Sequence, residues 1–85
     1  MKVLIPSALL SYTERNRVEV DGTTVAEILT ALEQKYPGIR FRMIDEQERI
    51  RPHIRFFVDG EQVFDLAHSL AAVDEFVIVQ ALSGG

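Results

Sequence analysis

The chain has 85 residues, a length that fits one domain, because chains divide at roughly 100–200 residues per domain. Its 47% hydrophobic and 26% charged residues are ordinary for a globular fold and argue against a disordered chain. It holds no cysteine, which excludes a disulfide framework, a thiolate zinc site and a cysteine nucleophile. The net charge of −4 argues against a nucleic-acid partner, since such binders carry a basic stripe.

Charge is unevenly distributed. Arg40, Arg42, Arg49, Arg51 and Arg55 crowd the middle, and no Lys or Arg follows Arg55, whereas Asp59, Glu61, Asp65, Asp74 and Glu75 do. An acidic C-terminal third either solubilises the domain or steers it toward a basic partner surface. At the N-terminus, Lys2 precedes the apolar Val3, Leu4 and Ile5. Pro6 interrupts that run, and no small-x-small cleavage pattern follows. No apolar stretch approaches the ~20 residues of a membrane helix. The expectation is a soluble, cytoplasmic protein with no membrane partner.

Taken in chain order, residues 2–6 read as a short, largely buried strand. Ser7 to Asn16 reads as a loop, and Arg17 to Val20 alternates as a half-buried strand does, closed by the turn pair Asp21-Gly22. Thr24 followed by Glu27 has the spacing of a capping box. Val25, Ile28, Leu29, Leu32 and Tyr36 then form one apolar helical face, and Pro37-Gly38 stops the helix. A helix of about thirteen residues is marginal alone and must pack on a sheet. Ile39 to Pro52 reads as an irregular strand followed by a loop. Ile54, Phe56 and Val58 alternate with Arg55, Phe57 and Asp59 as a strand, and Asp59-Gly60 turns it into a short strand at Gln62–Phe64. Asp65 to Ala72 reads as a helical turn. Phe76 to Leu82 is a continuous apolar run, expected of a strand buried in mid-sheet.

One helix after a hairpin, with an apolar closing strand, implies an α+β fold: a mixed sheet with one main helix packed on one face. The right-handed crossover rule sets the last strand beside the first and parallel to it. This is the ubiquitin-like β-grasp arrangement, expected over residues 1–81, with 82–85 as a flexible C-terminal tail.

Side chains capable of catalysis form no constellation. His53 and His68 are far apart in sequence, without a ligand cluster at metal spacing. Ser7, Ser11, Ser69 and Ser83 lie in no nucleophile-elbow context. Asp74 and Glu75, being adjacent, would point to opposite sides of a strand and cannot converge on one bond. The expectation is therefore no catalytic residue and no metal.

The end of the chain is different. It closes on Leu82-Ser83-Gly84-Gly85, and at average glycine usage a terminal Gly-Gly arises by chance in about 0.5% of chains. Chain ends often fray without consequence. Glycine, however, lacks a Cβ, so such an end can thread a channel that any side chain would block. A C-terminal carboxylate, with a pKa of about 3.3–3.7, is ionised at neutral pH and inert to nucleophiles. It must be activated by another protein, which describes a carrier and not a catalyst.

These residues resemble the ubiquitin-like sulfur-carrier family, which includes the small subunit of molybdopterin synthase and the thiamine-pathway sulfur carrier. Thr24-Val25-Ala26-Glu27-Ile28-Leu29 through Lys35-Tyr36-Pro37-Gly38-Ile39 resembles the family helix and its stop. Phe57-Val58-Asp59-Gly60-Glu61 resembles its hairpin, and Asp74-Glu75-Phe76-Val77-Ile78 leading to Gly84-Gly85 resembles its closing strand and diglycine. The stretch Arg51 to Glu61, with the long segment before it, looks most like carriers of cysteine or thioacid biosynthesis. Two departures are Gln80-Ala81, where the family often has prolines, and Val73, where it often has glycine.

The resemblance implies that an E1-like adenylyltransferase/sulfurtransferase uses ATP to adenylate the Gly85 carboxylate, which becomes a thiocarboxylate. The chain itself would bind no cofactor. Sulfur would then pass to a biosynthetic acceptor enzyme, with Leu82, Ser83 and Gly84 lying in the partner's channel. Two alternatives share the sequence: a ubiquitin-like modifier forming isopeptide bonds to lysines, and a non-covalent β-grasp adaptor. Side-chain parity sets Arg55 and Phe57 on the sheet face away from the helix. The family resemblance adds Val77 and Val79 by turning Phe76 and Ile78 inward. Phe57, Val77 and Val79 are thus the expected partner-docking surface, as clustered apolar patches often are, unless a second copy or the Ile39–Pro52 segment covers them.

Overall fold

A computed structural model describes residues 1–81. The strands are β1 (Lys2–Leu4), β2 (Arg17–Glu19), β3 (Ile54–Val58), β4 (Glu61–Val63) and β5 (Glu75–Gln80), and the helices are α1 (Leu10–Thr13), α2 (Val25–Lys35) and α3 (Ile39–Met43). The strands form one five-stranded sheet in the order β2-β1-β5-β3-β4. The central strand β5 runs parallel to β1, and the other pairings are antiparallel. The β-grasp expected from the sequence is the fold observed.

One face of the sheet carries the core. Val3, Val18, Ile54, Phe56, Val58, Val63, Phe76 and Ile78 are buried and form one cluster with Val25, Ile28, Leu29 and Leu32 of α2. The ring centroids of Phe56 and Phe76 lie 5.2 Å apart at an interplanar angle of 39°, within the range of favourable aromatic pairs.

The start of α2 leaves few backbone donors unsatisfied. The Glu27 N–H donates to Thr24 Oγ1 at 3.2 Å, the N-cap contact foreseen from the sequence. The reciprocal half is shifted by one residue: Glu27 Oε1 accepts chiefly from the N–H and hydroxyl of Thr23, at 2.7 and 2.8 Å, with the Thr24 N–H contributing least. The N–H groups of Val25 and Ala26 donate to the carbonyls of His68 and Leu66. The 65–72 segment is therefore a strap of turns across the helix end, bridged to it at Thr24 and Ser69 and anchored by buried Leu70. The helical turn expected there is limited to the His68 N–H bond to the Asp65 carbonyl, and the Leu66 and His68 carbonyls serve α2.

Two other expectations are corrected. Ser7 to Asn16 is not a plain loop, but a 3-10 turn (Ser7–Leu9) followed by α1. Leu9 and Thr13 are buried and fix this segment to the core. Ile39 to Met43 is the helix α3 and not a strand. Gly38, at φ 97°, adopts a left-handed turn that side chains disfavour. Glu33 then accepts the N–H groups of Gly38 and Arg40, at 2.9 and 3.0 Å, and these bonds draw its pKa below the usual carboxylate range, Gly38 contributing most. Ile39 and Met43, one helical turn apart, are both fully buried.

The β3–β4 turn takes the form expected of Asp-Gly: Asp59 and Gly60 both have positive φ, at 51° and 82°, as the tight hairpin turn requires. No helix among the described residues is long and apolar enough to cross a membrane.

Candidate functional site

The sheet face opposite α2 carries the expected patch. In β3, burial alternates: Ile54, Phe56 and Val58 are buried, while Arg55 and Phe57 are half-buried. In β5, Phe76 and Ile78 are buried, Val77 is half-buried and Val79 is 37% exposed. Register then assembles the patch. Phe57 lies opposite Val77, and Arg55 opposite Val79; directly paired residues share a face.

The sequence reading missed one member. Leu4 of β1 lies opposite Val77 from the other side and is half-buried. The apolar row therefore crosses three strands as Leu4, Val77 and Phe57, with Arg17 and Gln62 at its ends. The signal was present in the alternation, since Val3 is buried and its neighbours Lys2 and Leu4 must face away. The Ile39–Pro52 segment does not take this face as cover for its apolar groups: Ile39, Met43 and Ile44 are all buried in the core with α2.

The end of β5 is tied to the base of β3. Ile54 lies opposite Gln80, and the Ala81 N–H donates to the His53 carbonyl at 2.7 Å. Ala81 is the last described residue. Leu82, Ser83, Gly84 and Gly85, the residues expected to carry the chemistry and enter a partner, lie outside the described residues.

The surroundings of Ala81 are basic. His53 lines a recess of about 250 Å³ with Phe41, Arg42 and Arg51. Arg51 also lines a larger groove of about 760 Å³ that contains Arg49, Arg55 and the 76%-exposed Phe64. Glu48 and Asp65 also line that groove, and five other acidic residues gather at the opposite end of the sheet. Lys2 lies opposite both Glu19 and Glu75, and the Val58–Phe76 and Val58–Glu61 pairings bring Asp59, Glu61 and Asp74 to that same end. The two ends are separated by the length of β5, roughly 17 Å at about 3.3 Å per residue. Asp59, Glu61, Asp74 and Glu75 thus lie away from the chain's exit point, because β5 begins with Glu75 and finishes beside His53; Asp65 instead lines the groove with Arg51 and Arg55.

Among the described residues no group of three or more His, Cys, Asp or Glu is placed to hold a metal ion. Four carboxylates are drawn below their usual range, each for a local reason. Backbone and hydroxyl donors of Thr23 act on Glu27, the Arg49 N–H acts chiefly on Asp45, the Arg40 side chain acts on Glu48, and Glu33 is described above. Such carboxylates are ionised caps and bridges, not proton donors at neutral pH.

Comparison with known proteins agrees with the geometry. A chain of the BexX/CysO complex of Amycolatopsis orientalis superposes with a TM-score of 0.89 at 32% identity, over 99% of this chain and 98% of that one. CysO of Mycobacterium tuberculosis gives 0.87 at 28% identity, over 95% and 98%. Small archaeal modifier protein 1 of Haloferax volcanii is 34% identical over 70 residues, 81% of this chain and 79% of that protein. Small archaeal modifier protein 3 of the same organism is 33% identical over 55 residues, 65% of this chain and 59% of that protein. The family model described as the ThiS family matches residues 3–85, a span that takes in β2 to β5, all of β1 but Lys2, the apolar row and both closing glycines. This chain belongs to the ThiS family of ubiquitin-fold sulfur carriers and modifiers.

Proposed function

We propose that the chain is a sulfur carrier, a protein co-substrate and not an enzyme, whose reactive group is the carboxylate of Gly85. The observation that carries this reading is the family match through Gly84 and Gly85. The carboxylate oxygen attacks the α-phosphorus of ATP bound by an E1-like partner, and pyrophosphate leaves. A sulfur nucleophile then displaces AMP, and the product thiocarboxylate donates sulfur inside an acceptor enzyme. ATP belongs to the activating partner. The row Leu4, Val77 and Phe57, with Val79, is the apolar surface that the partner covers while residues 82–85 reach its active site. The complex that contains BexX and CysO supports a chain that works docked on a partner protein.

The absence of cysteine makes the test clean. After incubation with the activating enzyme, ATP and a sulfur donor, a thiol-reactive maleimide should label the chain once, at Gly85. An unlabelled chain would contradict the carrier reading. A second reading is favoured by the 34% identity to small archaeal modifier protein 1: the same activated carboxylate is attacked by a lysine amine to form an isopeptide bond. Lysine conjugates without maleimide labelling would select it.

A further inference from the structure

We propose that the enzyme receiving the tail presents an acidic rim, and that Arg42, Arg49, Arg51 and Arg55 are the surface of this chain that meets it. The inference rests on the carrier reading and concerns the charge of the partner that the reading leaves open.

Arg42 and Arg51 line the recess of His53, whose carbonyl holds the Ala81 N–H; Arg55 lies opposite Val79, and Arg49 shares the groove of Arg51 and Arg55. Among the described residues, the hydrogen-bond acceptors of Arg49, Arg51 and Arg55 are neutral. Arg51 Nε donates to the Phe41 carbonyl at 2.7 Å, and its guanidinium lies 4.6 Å from the centre of the Phe41 ring. Arg55 Nη1 donates to the Pro52 carbonyl at 2.6 Å, and Arg49 donates to the Gln47 side chain. Arg40 differs, being paired with Glu48 at 2.8 Å. A carbonyl positions a guanidinium without cancelling its charge, so donors remain for a planar carboxylate.

Acidic groups near the cluster offset part of it. Glu48, paired with Arg40, and Asp65 line the same groove. Arg49 and Arg51 act on Asp45, which also accepts the N–H groups of Gln47 and Arg49. Arg40, Arg42, Arg49, Arg51 and Arg55 outnumber Asp45, Glu46, Glu48 and Asp65 by one, so this end stays basic on a chain of net charge −4, with Glu19, Asp59, Glu61, Asp74 and Glu75 at the other end of the sheet. Such a dipolar distribution turns the molecule as it approaches a charged surface. An acidic rim would bring it in with the exit of the chain foremost; a basic rim would bring in the wrong end. Exposed charges of this kind act mainly on association rate and orientation.

The test is the association rate of the full chain with the adenylating enzyme of the same organism, at low and at high salt. The double variant Arg42→Glu with Arg49→Glu alters exposed side chains, and Arg51→Glu with Arg55→Glu provides an independent pair; melting temperatures confirm that each is folded. At low salt the expected slowing is about tenfold or more, shrinking as salt screens the charges. Glu61→Lys with Asp74→Lys, at the far end, should not slow association. Arginine variants that associate as fast as the unaltered chain, or an unaltered chain whose association ignores salt, would overturn the proposal. Arginine-dependent association without sulfur transfer keeps the acidic rim and removes the carrier chemistry; sulfur transfer unaffected by the reversals does the opposite.

Discussion

Phe57 of β3 and Val77 of β5 face each other across the sheet ladder, and the neighbouring pair, Phe56 and Ile78, faces the other way into the core. A single step in the chain thus separates the open, half-buried face from the packing that holds the fold. Phe57→Asp introduces a charge on the open face, beside Arg55 and Gln62. It should weaken binding to the activating enzyme while moving the melting temperature little. Unfolding of this variant would mean that the open face is covered.

The adjacent substitution should behave oppositely. Phe56 is fully buried against Phe76, and Phe56→Ala should cost about 3–5 kcal/mol. Small domains are stable by only about 5–15 kcal/mol, so denaturant titration should show most of that stability gone. A small loss would contradict the assignment of the two faces.

Glu33 links α2 to α3 through two backbone N–H groups, and its pKa is lowered by those bonds. A lowered folded-state pKa contributes stability that is present above the unfolded value and lost as pH falls through the folded value. Glu33→Gln should therefore melt at a lower temperature than the unaltered chain at neutral pH. The gap should begin to close as pH enters the usual carboxylate range and vanish below the folded pKa. A gap independent of pH down to full protonation would contradict the role of the charge.

Much of this was legible in the sequence because periodicity reports which face is buried. Val25, Ile28, Leu29 and Leu32 marked α2, the Asp59-Gly60 pair marked the hairpin, and the Ile54–Val58 alternation set Phe57 outward. Strand β5 could not be oriented by pattern, since Phe76, Val77, Ile78 and Val79 are apolar at both parities; its register with β3 decides it. Helix α3 was missed because its two core residues, Ile39 and Met43, are separated by two arginines and a phenylalanine that is 55% exposed. The 65–72 segment reads locally as a helical turn, but its role as a strap is tertiary, since the Leu66 and His68 carbonyls serve the end of α2. The basic surround of Ala81 is a tertiary feature: Arg42, Arg51 and Arg55 come together only when α3 and β3 are in place.

The narrow-channel reading of the tail has its own test. Gly84 lies beyond Ala81, and the core residues named above all precede it. Extended, residues 82–85 reach about 13–14 Å at roughly 3.3–3.6 Å per residue. Gly84→Val should abolish adenylation by a partner that encloses the tail, with an unchanged melting temperature. Adenylation at the normal rate would contradict enclosure.

The central claim is that sulfur is carried on Gly85, and intact-mass analysis tests it most directly. The unaltered chain, incubated with its activating enzyme, ATP and a sulfur donor, should show one oxygen-to-sulfur exchange, located at Gly85 by fragmentation. A chain that forms lysine conjugates, or that returns with its mass unchanged after productive ATP turnover by the partner, would contradict the account.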